Sequence, residues 1–165
     1  MIKDLNTKIL KIILNIGLLI TILLSIFSPF IFGAVFKVTG NVNLVGTAIF
    51  YSVIGGFILC AIPYIIALFS LRNLIKLILI NKSFSSKSIK ILNILAICSF
   101  SELIIFILST NIIKRIFIEH FEYVLLTAPT ILVSFICLTL GFMFLVLEKL
   151  FKNALELKEE IDMVI

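Results

Sequence analysis

Charged side chains are scarce in this sequence. Asp, Glu, Lys and Arg make up 14% of its 165 residues, whereas a soluble domain normally carries about 25%. Hydrophobic residues make up 62% of the chain, and its mean hydropathy is +1.30. A small domain leaves much of its surface exposed, so water cannot solvate this composition. The scarcity of charge therefore excludes a soluble globular protein and predicts that lipid surrounds most of the chain.

Motifs of enzymes and metal sites are also missing. There is no G-x-S-x-G, no H-E-x-x-H and no P-loop, so we expect no catalysis. Cys60, Cys98 and Cys137 lie in separate apolar stretches without C-x-x-C spacing, and we interpret them as packing residues. His120 stands in a loop with too few neighbouring ligands to hold a metal ion. We predict no cofactor, no metal and, without a helix-turn-helix in this chain, no direct binding of nucleic acid.

Long stretches without charge predict four membrane-spanning helices. About 20 apolar helical residues cross the hydrocarbon core of a bilayer. Runs of this length in lipid favour helices, because a helix satisfies its own backbone hydrogen bonds. The fold class is therefore all-α: an integral membrane four-helix transmembrane bundle with a C-terminal cytoplasmic amphipathic helix. The membrane domain, residues 1–147, contains predicted spans at 12–36, 44–71, 91–113 and 123–147, and the helical tail is 148–165.

The distribution of lysine and arginine predicts the orientation. These residues cluster at the N-terminus, between the second and third spans, and in the tail, while the other two connections hold Lys37, Lys114 and Arg115. The positive-inside rule then puts both termini in the cytoplasm of a bacterial cell, with the spans in its inner membrane. The basic side chains between the second and third spans are also expected to contact anionic lipid. These are Arg72, Lys76, Lys82, Lys87 and Lys90.

Small and polar side chains recur at helical spacing within each span. Such a stripe lets two helix backbones approach closely in lipid, where no hydrophobic force drives association. The predicted helix-packing stripe of the second span is Ala48, Ser52, Gly56 and Cys60. With one such stripe on every helix, we expect an antiparallel bundle whose stripes face inward and whose aliphatic faces meet lipid.

One carboxylate, Glu102, interrupts the third span near its middle, within ICSFSELIIFIL. An acidic side chain at a helix centre costs roughly 2.5–3.5 kcal/mol on insertion scales, so it should face the bundle interior. No Lys or Arg lies within a span to neutralise it, so we expect a protonated carboxyl that hydrogen-bonds a hydroxyl or a carbonyl. Two roles stay open: an interhelical hydrogen bond, or a group that binds protons or substrate. The candidate intramembrane polar site is Glu102, Ser99, Ser25 and Ser134.

The C-terminal stretch EKLFKNALELKEEIDMVI continues the helical period beyond the last span. Its apolar residues fall on one face of a helix, with charged pairs on others. Two alternatives stay open: the tail folds back against the basic connection, or it docks a soluble partner. The candidate docking residues are Leu150, Ala154, Leu157, Ile161, Glu156, Glu159 and Glu160.

Two segments resemble the bacterial domain-of-unknown-function 2975 family. IPYIIALFSLRNLIKLILINKSFSSKSIKILNILA has the proline-bearing second helix, the L-R-x-x-x-K exit and the x-F-S turn of that family. LEKLFKNALELKEEIDMVI has its acidic E-L-K-E-E helix, although Met163-Val164 replaces the more usual Leu-Thr. The matching residues are Pro63, Leu71, Arg72, Phe84, Ser85, Glu156, Leu157, Glu159, Glu160, Asp162 and Ile165.

The resemblance implies a small multipass membrane protein with no assigned activity. Members are often encoded beside a short helix-turn-helix regulator, which implies such a regulator as a partner. The family's x-F-S turn has a structural explanation in this chain: Ser85 or Ser86 can cap the third helix, and Phe84 can anchor the turn in the membrane interface.

These features predict a non-enzymatic, membrane-anchored regulatory or interaction protein that docks or senses a soluble cytoplasmic partner. The alternative is a small oligomeric transporter or channel subunit that uses Glu102 to couple protons or substrate. Size and charge also permit a membrane protein that protects the cell from a peptide toxin. The expected partners are the lipid bilayer, a soluble regulator and further copies of the chain.

Overall fold

The computed structural model describes residues 2–38, 42–80, 84–116 and 123–164, which form helices and short turns. Four of the helices contain a stretch long and apolar enough to cross a membrane. The prediction of an all-α protein with four such helices is confirmed. The elements are α1 (Ile2–Val38), a 3-10 helix (Val42–Leu44), α2 (Ala48–Leu79), α3 (Ser86–Ile116) and α4 (Tyr123–Val164).

The turn before α2 decides where the second helix begins. Gly46 has φ +83°, a left-handed conformation that glycine adopts without steric cost. Thr47 then occupies the N-cap position with an extended backbone. The helix therefore begins at Ala48, later than the predicted start of the span at Leu44, because residues 42–44 wind into the 3-10 helix instead.

Each long helix packs against its neighbour in the sequence. Within the described ranges, extensive contacts join α1 to α2, α2 to α3, and α3 to α4, and none of comparable extent joins α1 to α4. The described helices therefore form an open row in which α1 and α4 are not neighbours, and the four stripes do not face one common interior. Lipid solvates an aliphatic helix face as well as a second helix would, so no hydrophobic force requires the row to close.

Aromatic rings join α1 to α2 near the connection between these two helices. Phe36 and Phe50 meet edge to face with centroids 5.9 Å apart, and Phe32 meets Phe57 at 5.6 Å. Phe36 and Phe50 are buried together with Ile54. Because the end of α1 meets the start of α2, the two helices run antiparallel.

The most buried apolar side chains lie where α2 ends and α3 begins. Leu92 and Leu95 of α3 are each 2% exposed and pack with Leu74 of α2. Three side chains of α4 complete this group, which we call the end cluster: Phe144, Leu147 and Phe151. The end cluster therefore involves three helices and lies at the end that carries the α2–α3 turn.

The turn before α3 shows why Phe84 and Ser85 stand side by side. The prediction that Ser85 or Ser86 caps α3 is confirmed for Ser85, whose hydroxyl accepts a hydrogen bond from the Ser88 N–H at 3.3 Å. Phe84 is 52% exposed, and its ring packs against Phe151 with centroids 4.9 Å apart. The pair thus starts α3 and ties the turn to α4.

Residues 148–164 are not a separate element, since α4 runs through them without a break. Its 42 residues extend roughly 60 Å at the usual helical rise, about twice the hydrocarbon thickness. One end of α4 must therefore project from the bilayer. Because the helix continues to Val164, the described tail does not fold back on the middle connection beyond the contact at Phe151.

Helix α4 lies close to α3 at Gly141. A Cβ atom at this glycine would stand 2.8 Å from the ring of Phe100, well inside van der Waals contact. The same ring packs edge to face on Phe142 at 5.6 Å, so it has a neighbour on another side as well. By contrast, a Cβ atom at Gly55 of α2 would meet nothing within 4 Å.

We expect Gly141→Ala to lower the free energy of unfolding by about 1–3 kcal/mol, because the added methyl group overlaps the Phe100 ring. The matched control, Gly55→Ala, should be neutral or slightly stabilising, since alanine favours a helix over glycine. Reversible unfolding in mixed micelles, followed by circular dichroism, measures both. Equal stability of the two variants would contradict the close approach of α3 and α4.

Candidate functional site

Glu102 lies on α3 at the border of two clefts. The first, about 450 Å³, is formed by α1, α2 and α3, and its lining includes Thr21, Cys60 and Glu102. The second, about 360 Å³, is formed by α2, α3 and α4, and its lining includes Ser99, Cys137 and again Glu102. A ligand in either cleft would therefore reach the same carboxyl group.

One oxygen of the Glu102 carboxyl group lacks a hydrogen-bond partner within the described part of the chain. Its Oε2 atom is buried and has no hydrogen-bond partner among the described residues. The hydroxyls of Ser25 and Ser99 instead donate to the carbonyls of Thr21 at 2.8 Å and Leu95 at 3.0 Å, each in its own helix. A serine that bonds to the preceding turn has no further proton to donate. Neither serine therefore donates a hydrogen bond to Glu102.

The four residues of the predicted polar site are only partly brought together. Ser99 and Glu102 share the cleft between α2, α3 and α4. Ser25 and Ser134 are half-buried on α1 and α4 and line neither of the two clefts. Counting residues along a span predicts depth in the bilayer, but it does not predict which face of a helix meets which neighbour.

Three cysteines from three helices lie around Glu102. The thiols of Cys60, Cys98 and Cys137 are each near enough to interact electrostatically with its carboxyl group. The Cys60 side chain also hydrogen-bonds to Ser109 of α3. Sequence analysis missed this cluster because it assigned the thiols to packing, although each falls well inside a span. In the part of the chain that the structure describes, no three His, Cys, Asp or Glu side chains are placed to hold a metal ion.

The small-residue stripe of α2 packs closely over its second half. A Cβ atom at Gly56 would stand 3.3 Å from the Cβ of Ser109, and Cys60 bonds to that same serine. At the other end Ala48 is exposed, and the hydroxyl of Ser52 donates to the Ala48 carbonyl at 2.8 Å. Gly56 and Cys60 are therefore the stripe residues that meet Ser109 of α3.

Three of the five basic residues predicted to contact lipid converge between the end of α2 and the start of α3. Lys76, Lys87 and Lys90 line one groove of about 350 Å³. Arg72 does not line it, and its Nε atom is buried without a hydrogen-bond partner among the described residues. Lys82 lies outside the described residues.

The side chains predicted to dock a partner are mostly exposed on α4. Leu150 is 56% exposed and Leu157 is 60% exposed, whereas Ala154 is half-buried. The C-terminal part of α4 therefore presents apolar and acidic groups on one helix. The exposed members are Leu150, Leu157, Ile161, Glu156, Glu159 and Glu160.

The structure has four helices that are long and apolar enough to cross a membrane, and a half-buried carboxyl group lies midway along one of them. These features define a multipass membrane protein. A family model described as "Protein of unknown function (DUF2975)" matches residues 34–165, and the chain belongs to this family. The resemblance read from the proline-bearing helix, the F-S turn and the acidic C-terminal helix is thereby confirmed. No curated protein and no solved structure matches the chain.

We expect the lipid-soluble reagent dicyclohexylcarbodiimide to modify Glu102, because this reagent attacks protonated carboxyl groups in apolar surroundings and both clefts lead to this one. A water-soluble carbodiimide should instead modify exposed acids of α4 such as Glu156. Peptide mass spectrometry locates both adducts. The control Glu102→Gln should lose the first adduct and keep the second. Modification of Glu102 by the water-soluble reagent alone would contradict a protonated carboxyl in an apolar site.

Proposed function

We propose that this protein is a non-enzymatic, membrane-anchored regulatory or interaction protein whose projecting part of α4 docks a soluble cytoplasmic partner. The observation that carries the proposal is the exposed apolar and acidic surface of residues 150–161, on a helix too long for the bilayer. The distribution of Lys and Arg favours a bacterial inner membrane with both termini in the cytoplasm.

The exposed apolar residues form a stripe that suits a groove on a partner. Leu150, Leu157 and Ile161 follow one another at spacings of seven and four, so they share one face of α4. Leu157 and Ile161 are each 60% exposed. An exposed apolar stripe is typical of a helix that a partner covers, as when a helix lies in a groove of a soluble domain. We call these three residues the docking stripe.

Charge indicates the chemistry of the partner. Acidic residues outnumber lysines in 148–165, and Glu156, Glu159 and Glu160 are exposed. Complementary charge speeds association and selects among partners, so we expect a basic surface beside the partner's apolar groove. A small helix-turn-helix regulator, the partner that the family resemblance implies, carries positive charge because it contacts DNA phosphates.

We expect Leu157→Ser with Ile161→Ser to weaken binding of the regulator at least about tenfold, since two of the three apolar anchors are lost. The regulator is first identified by co-purification with the native chain, then purified and titrated against each variant in nanodiscs. The matched control is Glu148→Ser with Lys152→Ser, which lies about half a helical turn away and leaves the net charge unchanged.

Both double variants keep Phe151 and the end cluster, so loss of binding cannot be attributed to an unpacked α4. Equal binding by the native chain and both variants would exclude the docking stripe as the contact. A native chain that binds no soluble regulator would exclude the docking function itself.

The position of Glu102 favours a second function, transport by an oligomer of this chain. Its carboxyl group borders two clefts, and its Oε2 atom has no partner among the described residues. Ionisable groups within a membrane span are costly and characteristically mark the path of a proton or a substrate. A carboxyl group reachable from two clefts is suited to accept a proton from one and release it to the other.

If the protein conducts protons, Glu102→Gln should reduce the flux at least about tenfold, since an amide cannot titrate at this position. The measurement uses proteoliposomes with an internal pH-sensitive dye under a potassium diffusion potential. Ser99→Ala is the matched control, because Ser99 lines the same cleft but bonds within its own helix. Native protein without flux above empty liposomes, or Glu102→Gln with full flux, would reject transport.

A further inference from the structure

The groove between α2 and α3 combines an apolar floor with a cationic rim. Its six lining residues come from the last turns of α2 and the first turns of α3. Three are lysines whose side chains are exposed, and two are aliphatic. The lining residues are Asn73, Lys76, Leu77, Lys87, Lys90 and Ile91.

The positive charge of this groove is not balanced within the described protein. No acidic residue belongs to its lining, and no described side chain forms an ion pair with Lys76, Lys87 or Lys90. Three ammonium groups around one groove repel one another, and a bound anion would replace that repulsion with attraction. The charge of the groove therefore suits a ligand with negative charge.

The position of the groove indicates which kind of anion it meets. It lies beside the α2–α3 turn, where two helices long enough to cross the membrane both end. Lysines at such ends extend their ammonium groups toward the headgroups while their methylene stems stay in apolar surroundings. Leu77 and Ile91 add aliphatic surface to the same lining. A ligand with a phosphate at one end and hydrocarbon at the other matches both parts.

We propose that this groove is a binding site for the phosphate of an anionic phospholipid from the leaflet that contains the α2–α3 turn. Lys76, Lys87 and Lys90 hold the phosphate, and Leu77 and Ile91 contact the adjoining acyl chain. Inorganic phosphate has the same charge chemistry but makes no use of the apolar floor, so the lipid binds more tightly. The site is independent of the docking stripe on α4 and of Glu102.

The test counts lipids bound to the purified full chain in phosphatidylcholine nanodiscs during titration with phosphatidylglycerol, by native mass spectrometry. The groove variant carries Lys76→Gln, Lys87→Gln and Lys90→Gln. The control variant carries Lys11→Gln, Lys149→Gln and Lys152→Gln, which removes the same charge from the same side of the membrane. A lysine that contacts the bound headgroup contributes about fivefold in affinity, so the groove variant should bind at least about tenfold more weakly. The control should stay within about twofold of the native chain.

Two further measurements distinguish the alternatives. Leu77→Ser should weaken phosphatidylglycerol binding and leave all lysines in place, so it tests the apolar floor even if the triple variant folds poorly. Inorganic phosphate should fail to displace the lipid at millimolar concentration. Displacement by inorganic phosphate, with Leu77→Ser silent, would assign the groove to free phosphate and overturn the proposal. Equal loss in the groove and control variants would also overturn it, because general attraction to surface charge would then explain the binding.

Discussion

The close approach of α3 to both of its neighbours is the interaction on which the packing of the described membrane helices depends. On one side Gly56 of α2 lies against Ser109, and on the other Gly141 of α4 lies against Phe100. Lipid is as apolar as an aliphatic helix face, so these helices associate where small side chains let their backbones approach, and not through exclusion of water. Helix α1 joins this unit through aromatic contacts with α2 and remains at the edge of the row. The central place of α3 explains why its single carboxylate meets side chains from three helices.

The open row of helices also explains the surroundings of Glu102. The row leaves a cleft on either side of this residue. Ser99, which lines the same cleft, donates its hydroxyl proton within its own helix, and the Oε2 atom of Glu102 has no partner among the described residues. A buried polar group without a hydrogen bond costs free energy, and a protein retains that cost where the group protonates or binds something. These surroundings of Glu102 are what support the proposal of transport.

The end cluster links the features that lie at the cytoplasmic side in the proposed orientation. Leu92 and Leu95 pack against α2 and α4, and Phe84 ties the α2–α3 turn to Phe151. The lysine groove lies beside that same turn, and the docking stripe begins at Leu150, next to Phe151. Lipid binding and partner docking would thus act on one packed unit of three helices. This packing gives the projecting part of α4 a fixed base, which reduces the conformational entropy lost when a partner binds.

The sequence by itself determined the four membrane helices, the cap of α3 and the family. These depend on local chemistry: a charge-free run of about 20 residues spans the hydrocarbon wherever it packs, and the Ser85 hydroxyl reaches the Ser88 N–H three residues along the same chain. The tertiary structure alone decided that the helices form a row. It also decided that Cys60, Cys98 and Cys137 lie near Glu102. It placed three lysines in one groove with Leu77 and Ile91. The physical reason is that lipid solvates every apolar face of a helix. Hydrophobicity therefore does not specify which face of a helix meets its neighbour. The faces that meet α3 are those that carry Gly56 and Gly141, where the side chains are small enough for close contact.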